Sequence, residues 1–171
     1  MVAYSFKPKF VGPIQAGLGV LPVIDGHPAE FVLDAGSKIP RAFDPVRDLD
    51  PPVRPKRQTI RAHGKRRHAR PGDELQLYTG MRTKACRLIG RAQCTEVKSI
   101  ILWFEEGSVA AQINGEILGP RKMKSFAQAD GFKDTLEMAA FWSHENGTRN
   151  GDKWKGLLIL WAPLPAERQQ S

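Results

Sequence analysis

Seven of the thirteen prolines in this chain fall within residues 19–55, and that crowding decides where regular structure can form. Proline removes a backbone donor and breaks both helices and sheet ladders. The steps Asp44-Pro45 and Asp50-Pro51-Pro52, with no sustained apolar period between them, mark the stretch as an inserted loop or lid. Its short apolar pieces, 20–24 and 31–33, would let it dock in part. The framework is therefore expected from residues 2–18 and 56–162, as a single domain over 1–165 with a short tail at 166–171. A chain of 171 residues with 41% hydrophobic content has enough apolar surface for a real core.

That framework reads mainly as strand. Residues 2–6 form a short strand, followed by a helical turn at 13–16 that Gly17 can end in the left-handed conformation. Strands at 56–62 and 74–79 flank the turn Arg70-Pro71-Gly72-Asp73, where proline and glycine set the dihedrals. Further strands fall at 84–97 and 100–104. A hairpin follows from 109–113 and 116–118, because Asn114-Gly115 favours the turn that matches strand twist. One helix is indicated by Asp134 and Glu137, which resemble a capping box with Asp in place of Ser or Thr. Leu136, Ala139, Ala140 and Phe141 would supply its apolar face. Residues 154–162 (WKGLLILWA) are almost continuously apolar and belong at the centre of a sheet. The fold class is α+β, mainly β: a small barrel or curled sheet with one or two flanking helices and a long Pro-rich insertion.

Charge is distributed as unevenly as proline. Residues 53–70 (VRPKRQTIRAHGKRRHAR) hold eight Lys or Arg and no acid, which is the whole of the net charge of +8; the rest of the chain is balanced. A cationic cluster beside a cleft steers anions inward, and phosphates are the obvious candidates. Arg54, Arg57, Arg61, Lys65, Arg66, Arg67 and Arg70 are accordingly expected to bind RNA or a nucleotide, with Gly64 giving a flexible turn. The blander reading is a solvated basic face. Tyr78 and Phe132 are candidate groove aromatics, whereas Trp103, Trp142, Trp154 and Trp161 sit in apolar runs and suit the core.

Other chemistry has less behind it. His63, His68, Cys86 and Cys94 lack the tight paired spacing of a zinc site. No phosphate-binding glycine loop or nucleoside-triphosphate motif is present, so no cofactor and no metal are expected. Two cysteines are too few for a disulfide scaffold and point to buried thiols in a reducing compartment. No apolar run approaches the roughly 20 residues that cross a bilayer, and MVAYSFKPKF has no signal-peptide core. The expected location is cytoplasmic, without a membrane partner, and the oligomeric state is left open.

Six motifs occur in order: SFKPKF, AGL, KRQTIR, RPGDELQLYTGMRT, ADGF before a helix, and WKGLLILW. Together they resemble the ASCH family over residues 2–18 and 56–162. The departure is the 19–55 stretch, since family members join AGL to KRQTIR by a residue or two. The resemblance implies a PUA-like β-barrel with a groove beside it and a role with RNA or nucleosides. Some members share a Lys-x-x-Thr-x-Arg signature, and in a bacterial acetylcytidine amidohydrolase of the family the lysine is the base, the threonine the nucleophile and a later glutamate the acid. The resemblance thus implies Lys56 as base and Thr59 as nucleophile, with Arg61 at the arginine. Asp130 stands where the glutamate falls, shorter by one methylene.

Three function classes follow: an RNA- or nucleoside-binding module, an amidohydrolase acting on acylated cytidine-type nucleosides without a metal, and a ribonuclease using Lys56 or His63 to carry the proton. The hydrolase chemistry is physically reasonable. Threonine needs an adjacent base, and a lysine serves only when neutral; Arg54, Arg57 and Arg61 would disfavour its charged form. Positions three apart point to opposite faces of an ideal strand, so Lys56 must lie in a turn or bulge for the pair to form.

Overall fold

The computed structural model describes residues 1–20, 53–64 and 67–164, together with Ala42, Asp44 and the backbone of four two-residue strands within the Pro-rich stretch. The elements in chain order are β1 (Val2–Phe6), a 3₁₀ turn (Pro8–Phe10) and α1 (Val11–Gly17). In the insertion, β2 (Val23–Ile24) pairs with β3 (His27–Pro28), and β4 (Phe31–Val32) with β5 (Arg41–Ala42). Its expected role as a lid lies outside the described residues. Then come β6 (Gln58–Ala62), β7 (Glu74–Thr79), β8 (Arg87–Glu105), β9 (Ser108–Ile113), β10 (Glu116–Ile117), α2 (Pro120–Ala129), α3 (Thr135–Asn146) and β11 (Lys153–Pro163).

One seven-stranded sheet organises the molecule, in the order β1-β7-β8-β11-β6, with β9 and β10 extending it from β8. Only the β1–β7 pair is parallel. The two strands expected at 84–97 and 100–104 are one 19-residue strand, β8. Its first part pairs with β7 and its last with β9, while β11 runs antiparallel along most of its length. Register shifts at Leu77/Tyr78 and Leu160/Trp161 mark bulges, which increase local twist. The curled sheet brings its end strands within a side chain's reach: the Arg61 guanidinium of β6 donates to the Ser5 carbonyl of β1 at 2.8 Å.

The architecture is thus a strand-rich α+β fold on an open sheet, and the closed barrel implied by the family resemblance is not formed. No ladder joins β1 to β6 among the described residues. Pro8 turns the chain into a 3₁₀ turn directly after β1, so that strand stops at five residues. A side chain, not a backbone ladder, spans the seam.

Central placement of the apolar run at 154–162 holds. β11 lies between β8 and β6, with Leu158, Ile159 and Trp161 buried against Leu75, Leu77, Ile100 and Leu102 in the core. The hairpin turn has Asn114 at φ 48° and Gly115 at φ 89°, the left-handed pair that a two-residue hairpin loop requires.

The helices depart further from expectation. Asp134 caps α3, its Oδ1 accepting from the Glu137 amide at 2.9 Å, and Glu137 Oε2 accepts from the Lys133 amide at 2.6 Å. The buried face is Met138, Ala139 and Trp142, whereas Leu136 is 62% exposed and Ala140 is exposed. Trp142 sets this rotation by packing on Phe104 and Trp154, with ring centroids 6.0 and 4.7 Å away. α2 was not expected at all. Arg121, Lys122 and Lys124 mask a stripe of Met123, Phe126 and Ala127, which the fold buries. No described helix is long and apolar enough to cross a membrane.

Candidate active site

A cavity of about 560 Å³ opens where the two end strands of the sheet meet α3. Its walls come from residues 5–8 and Phe10 within and after β1, Lys56 and Thr59 to Ala62 around β6, Gly80, Asp130 after α2, Phe141, Trp142, Glu145 and Asn146 of α3, and Trp154 of β11. A volume of that size suits a ligand of nucleoside dimensions.

Lys56, Thr59, Arg61 and Asp130 all line this cavity, although Asp130 is far in sequence from the other three. Lys56 precedes β6 by two residues and so escapes strand alternation; its amide donates to the Pro13 carbonyl at 2.8 Å. Thr59 and Arg61, two apart on β6, share a strand face. Asp130 is the C-cap of α2, and Gly131 follows at φ 89°. A side chain at Gly131 would press on Phe10 and on the Lys56 stem. Sequence reading had Gly17 ending α1 in the left-handed conformation; instead Leu18 caps the helix in the right-handed region and Gly19 takes φ 74°. Gly17 serves a different purpose: a Cβ there would collide with the Lys56 carbonyl. Gly17→Ala is therefore expected to cost more than about 2 kcal/mol, because backbone must move to relieve the overlap. A urea midpoint unchanged from wild type would contradict this.

Lys56 and Asp130 form a buried ion pair, Nζ to Oδ1 2.6 Å, with side-chain exposures of 2% and 7%. The ammonium also donates to the Asp130 main-chain carbonyl and lies 4.7 Å from the centre of the Phe10 ring. Burial pushes the lysine well below its ordinary value, helped by Arg61 and Lys9 and opposed by Asp130. Burial equally pushes Asp130 above the usual carboxylate range, opposed by Lys56 and Arg61. The two shifts run toward each other, which narrows the difference in proton affinity between the partners.

The remaining two groups are differently placed. Thr59 is buried to 5% exposure, and its hydroxyl has no hydrogen-bond partner among the described residues. Arg61 is held beneath Phe6 and Tyr4, its guanidinium carbon 4.8 and 5.2 Å from the ring centres. Its Nε is buried without a partner.

Most of the basic cluster lies elsewhere. Arg54, Arg57, Arg67 and Arg70 do not line the cavity. Arg57 Nε donates to the Gly17 carbonyl at 2.8 Å, holding α1 against β6. Arg67 pairs with Asp73 at 2.6 Å on the exposed surface, and Arg70 is exposed at the turn before β7. The physical reason is the short β6: the chain leaves the cavity at Ala62, and Tyr4 then pins it by accepting from the Ala69 amide at 3.1 Å. Lys65 and Arg66 lie outside the described residues.

The aromatic expectations are also revised. Tyr78 alternates with buried Leu77 and Thr79, so it faces away from the cavity, and Phe132 is sealed in the core against Phe10. The cavity aromatics are Phe6, Phe10, Phe141, Trp142 and Trp154. Phe141, Trp142 and Trp154 lie in apolar or helical runs with no signal of exposure, and Phe6 and Phe10 belong to the SFKPKF motif. His63 is exposed and does not line the cavity. Among the described residues, no three His, Cys, Asp or Glu side chains gather to hold a metal. No family model matches the chain, and no curated protein or solved structure was found to match it.

Proposed function

We propose that the cavity binds a nucleoside-sized ligand and that Lys56, Thr59 and Asp130 hydrolyse an amide on it, the substrate class being an acylated cytidine-type nucleoside. One observation carries this reading: Thr59 and a buried Lys–Asp pair line one cavity. The Lys56 ammonium is bonded to Asp130 and not to the Thr59 hydroxyl, so base and nucleophile must close on each other when the ligand binds. The resemblance to the ASCH family supports the same assignment. The nucleoside is favoured over a strand of RNA because, of the described Lys and Arg in the 53–70 cluster, only Lys56 and Arg61 line the cavity. A ribonuclease acting through His63 loses support because that residue is exposed and does not line the cavity.

The chemistry follows from the shared proton. When it rests on Asp130, the pair is an uncharged amine beside a carboxylic acid, and both partners are ready to act. Lys56 takes the Thr59 hydroxyl proton as the oxygen attacks the acyl carbonyl. Asp130 gives its proton to the departing amine as the C–N bond breaks, leaving an ester on Thr59. The pair then holds a single proton again, on the lysine. Water gives a proton to the Asp130 carboxylate as it attacks the ester, and Lys56 returns its proton to the departing Thr59 oxygen, which frees the acid and restores the starting pair.

Acetylcytidine incubated with the protein in a chelator should yield cytidine and acetate. Equal rates for wild type, Thr59→Ala and Lys56→Ala would reject the site. The pH profile is a separate prediction. Activity requires one proton on the pair, so kcat/KM should be bell-shaped. The acid limb, where the carboxylate takes a second proton, should lie above an ordinary aspartate's pKa. The alkaline limb, where the lysine loses the last one, should lie below an ordinary lysine's. A rate still rising at strongly alkaline pH would contradict the shared proton.

A further inference from the structure

The charges around the cavity do not cancel. Its lining carries three cations, Lys7, Lys56 and Arg61, and two anions, Asp130 and Glu145. Lys7 and Glu145 pair at the rim at 2.6 Å, and Lys56 and Asp130 pair at the floor at 2.6 Å. Movement of the proton within the floor pair leaves its net charge at zero. Lys9, the next nearest cation, is matched by Glu137 at 3.2 Å. Asp130 also favours the charged form of Arg61, but that single carboxylate already serves Lys56.

Arg61 is left with one neutral acceptor, the Ser5 carbonyl at 2.8 Å, for a group that carries five N–H donors. Its Nε–H has no partner although it is buried. A buried, unpaired donor on a charged group is costly and calls for a functional explanation. The guanidinium is nonetheless fixed in place by the Tyr4 and Phe6 rings and by its bond to β1. A rigid, undercompensated fork of donors at a cavity wall is the arrangement that recognises a planar or tetrahedral oxyanion.

We propose that the cavity accepts a ligand bearing one anionic group, a carboxylate or a phosphate, which docks on Arg61 beside the Thr59 hydroxyl. The two residues lie on the same face of β6, so the anionic group and the reacting bond would be near neighbours in the ligand. The preferred ligand is then an anion, an acylated nucleotide or an amide near a carboxylate, and a neutral nucleoside is a poorer fit. Binding of this kind does not depend on turnover, so it stands or falls separately from the hydrolase reading.

Three fragments of similar shape test it on the wild-type protein: benzamide, benzoate and phenyl phosphate. Trp142 and Trp154 line the cavity and report occupancy by fluorescence. At least one of the two anions should bind at least about tenfold more tightly than benzamide, the gain expected of a charge-assisted hydrogen bond. Whichever anion shows the gain identifies the group. Arg61→Gln should abolish the preference, and Arg61→Lys should retain part of it if loss of the bridge to β1 leaves Arg61→Gln unfolded. Equal affinity for all three fragments, or a preference that survives in folded Arg61→Gln, would overturn the proposal.

Discussion

Replacing Thr59 by alanine should lower kcat on acetylcytidine by about a thousandfold or more, the scale on which a covalent nucleophile acts together with its base. Binding should change little, because the hydroxyl makes no hydrogen bond to the described residues whose loss would reorganise the walls. Stability should fall by at most about 1 kcal/mol, the span of strand preference between the two residues. Thr59→Ser keeps the oxygen and should retain turnover within about tenfold of wild type. Three measurements check this: kcat, ligand-induced tryptophan quenching and urea midpoint. A Thr59→Ala protein with normal turnover would remove the nucleophile, and one that fails to bind would make Thr59 a binding residue instead.

The second large effect concerns stability. Lys56→Met strands a carboxylate, and Asp130→Leu strands an ammonium, at positions with only 7% and 2% side-chain exposure. Each single change should cost about 3–5 kcal/mol, because the partner left behind is a buried charge without compensation. Combining them removes both charges, and apolar groups of similar volume can then fill the space. The double variant should therefore be more stable than either single one and within about 1–2 kcal/mol of wild type, yet inactive. The signature is strong non-additivity in a double-mutant cycle. Losses that simply add would show that the two groups do not act on each other.

These two experiments separate what holds the fold from what performs the chemistry, and the sequence speaks differently to each. Strand positions were legible because their signals are local. Glu74–Thr79 alternates buried and half-buried positions along its whole length, and Asn114-Gly115 admits essentially one turn. β11 was legible as a central strand because an unbroken apolar run has to be covered on both faces.

Long-range geometry was not legible in the same way. The curl that brings Arg61 to Ser5 depends on bulges at Leu77/Tyr78 and Leu160/Trp161, which no residue announces. α2 was hidden because its three cations outweigh its narrow apolar stripe in any local average. Charge density misled most at the site. The cluster at 53–70 draws attention to eight cations, but β6 ends at Ala62 and carries only one of them, Arg61, into the cavity wall. Lys56 and Arg61 line it, while Arg57 braces α1 and Arg67 and Arg70 lie at the surface. Lys56, Thr59, Arg61 and Asp130 were named through a resemblance of ordered motifs, and their convergence rests on Gly17 and Gly131 admitting close backbone approach. The Lys–Asp contact itself spans 74 residues of sequence and has no local trace.

The most direct measurement is a rapid acid quench of the protein with acetylcytidine, followed by peptide mass spectrometry. Transfer of the acyl group to Thr59 predicts one acetyl group on the peptide containing that residue during turnover, absent from Thr59→Ala. Cytidine release with no acetylated peptide at any time, or with the acetyl group on another residue, would contradict it.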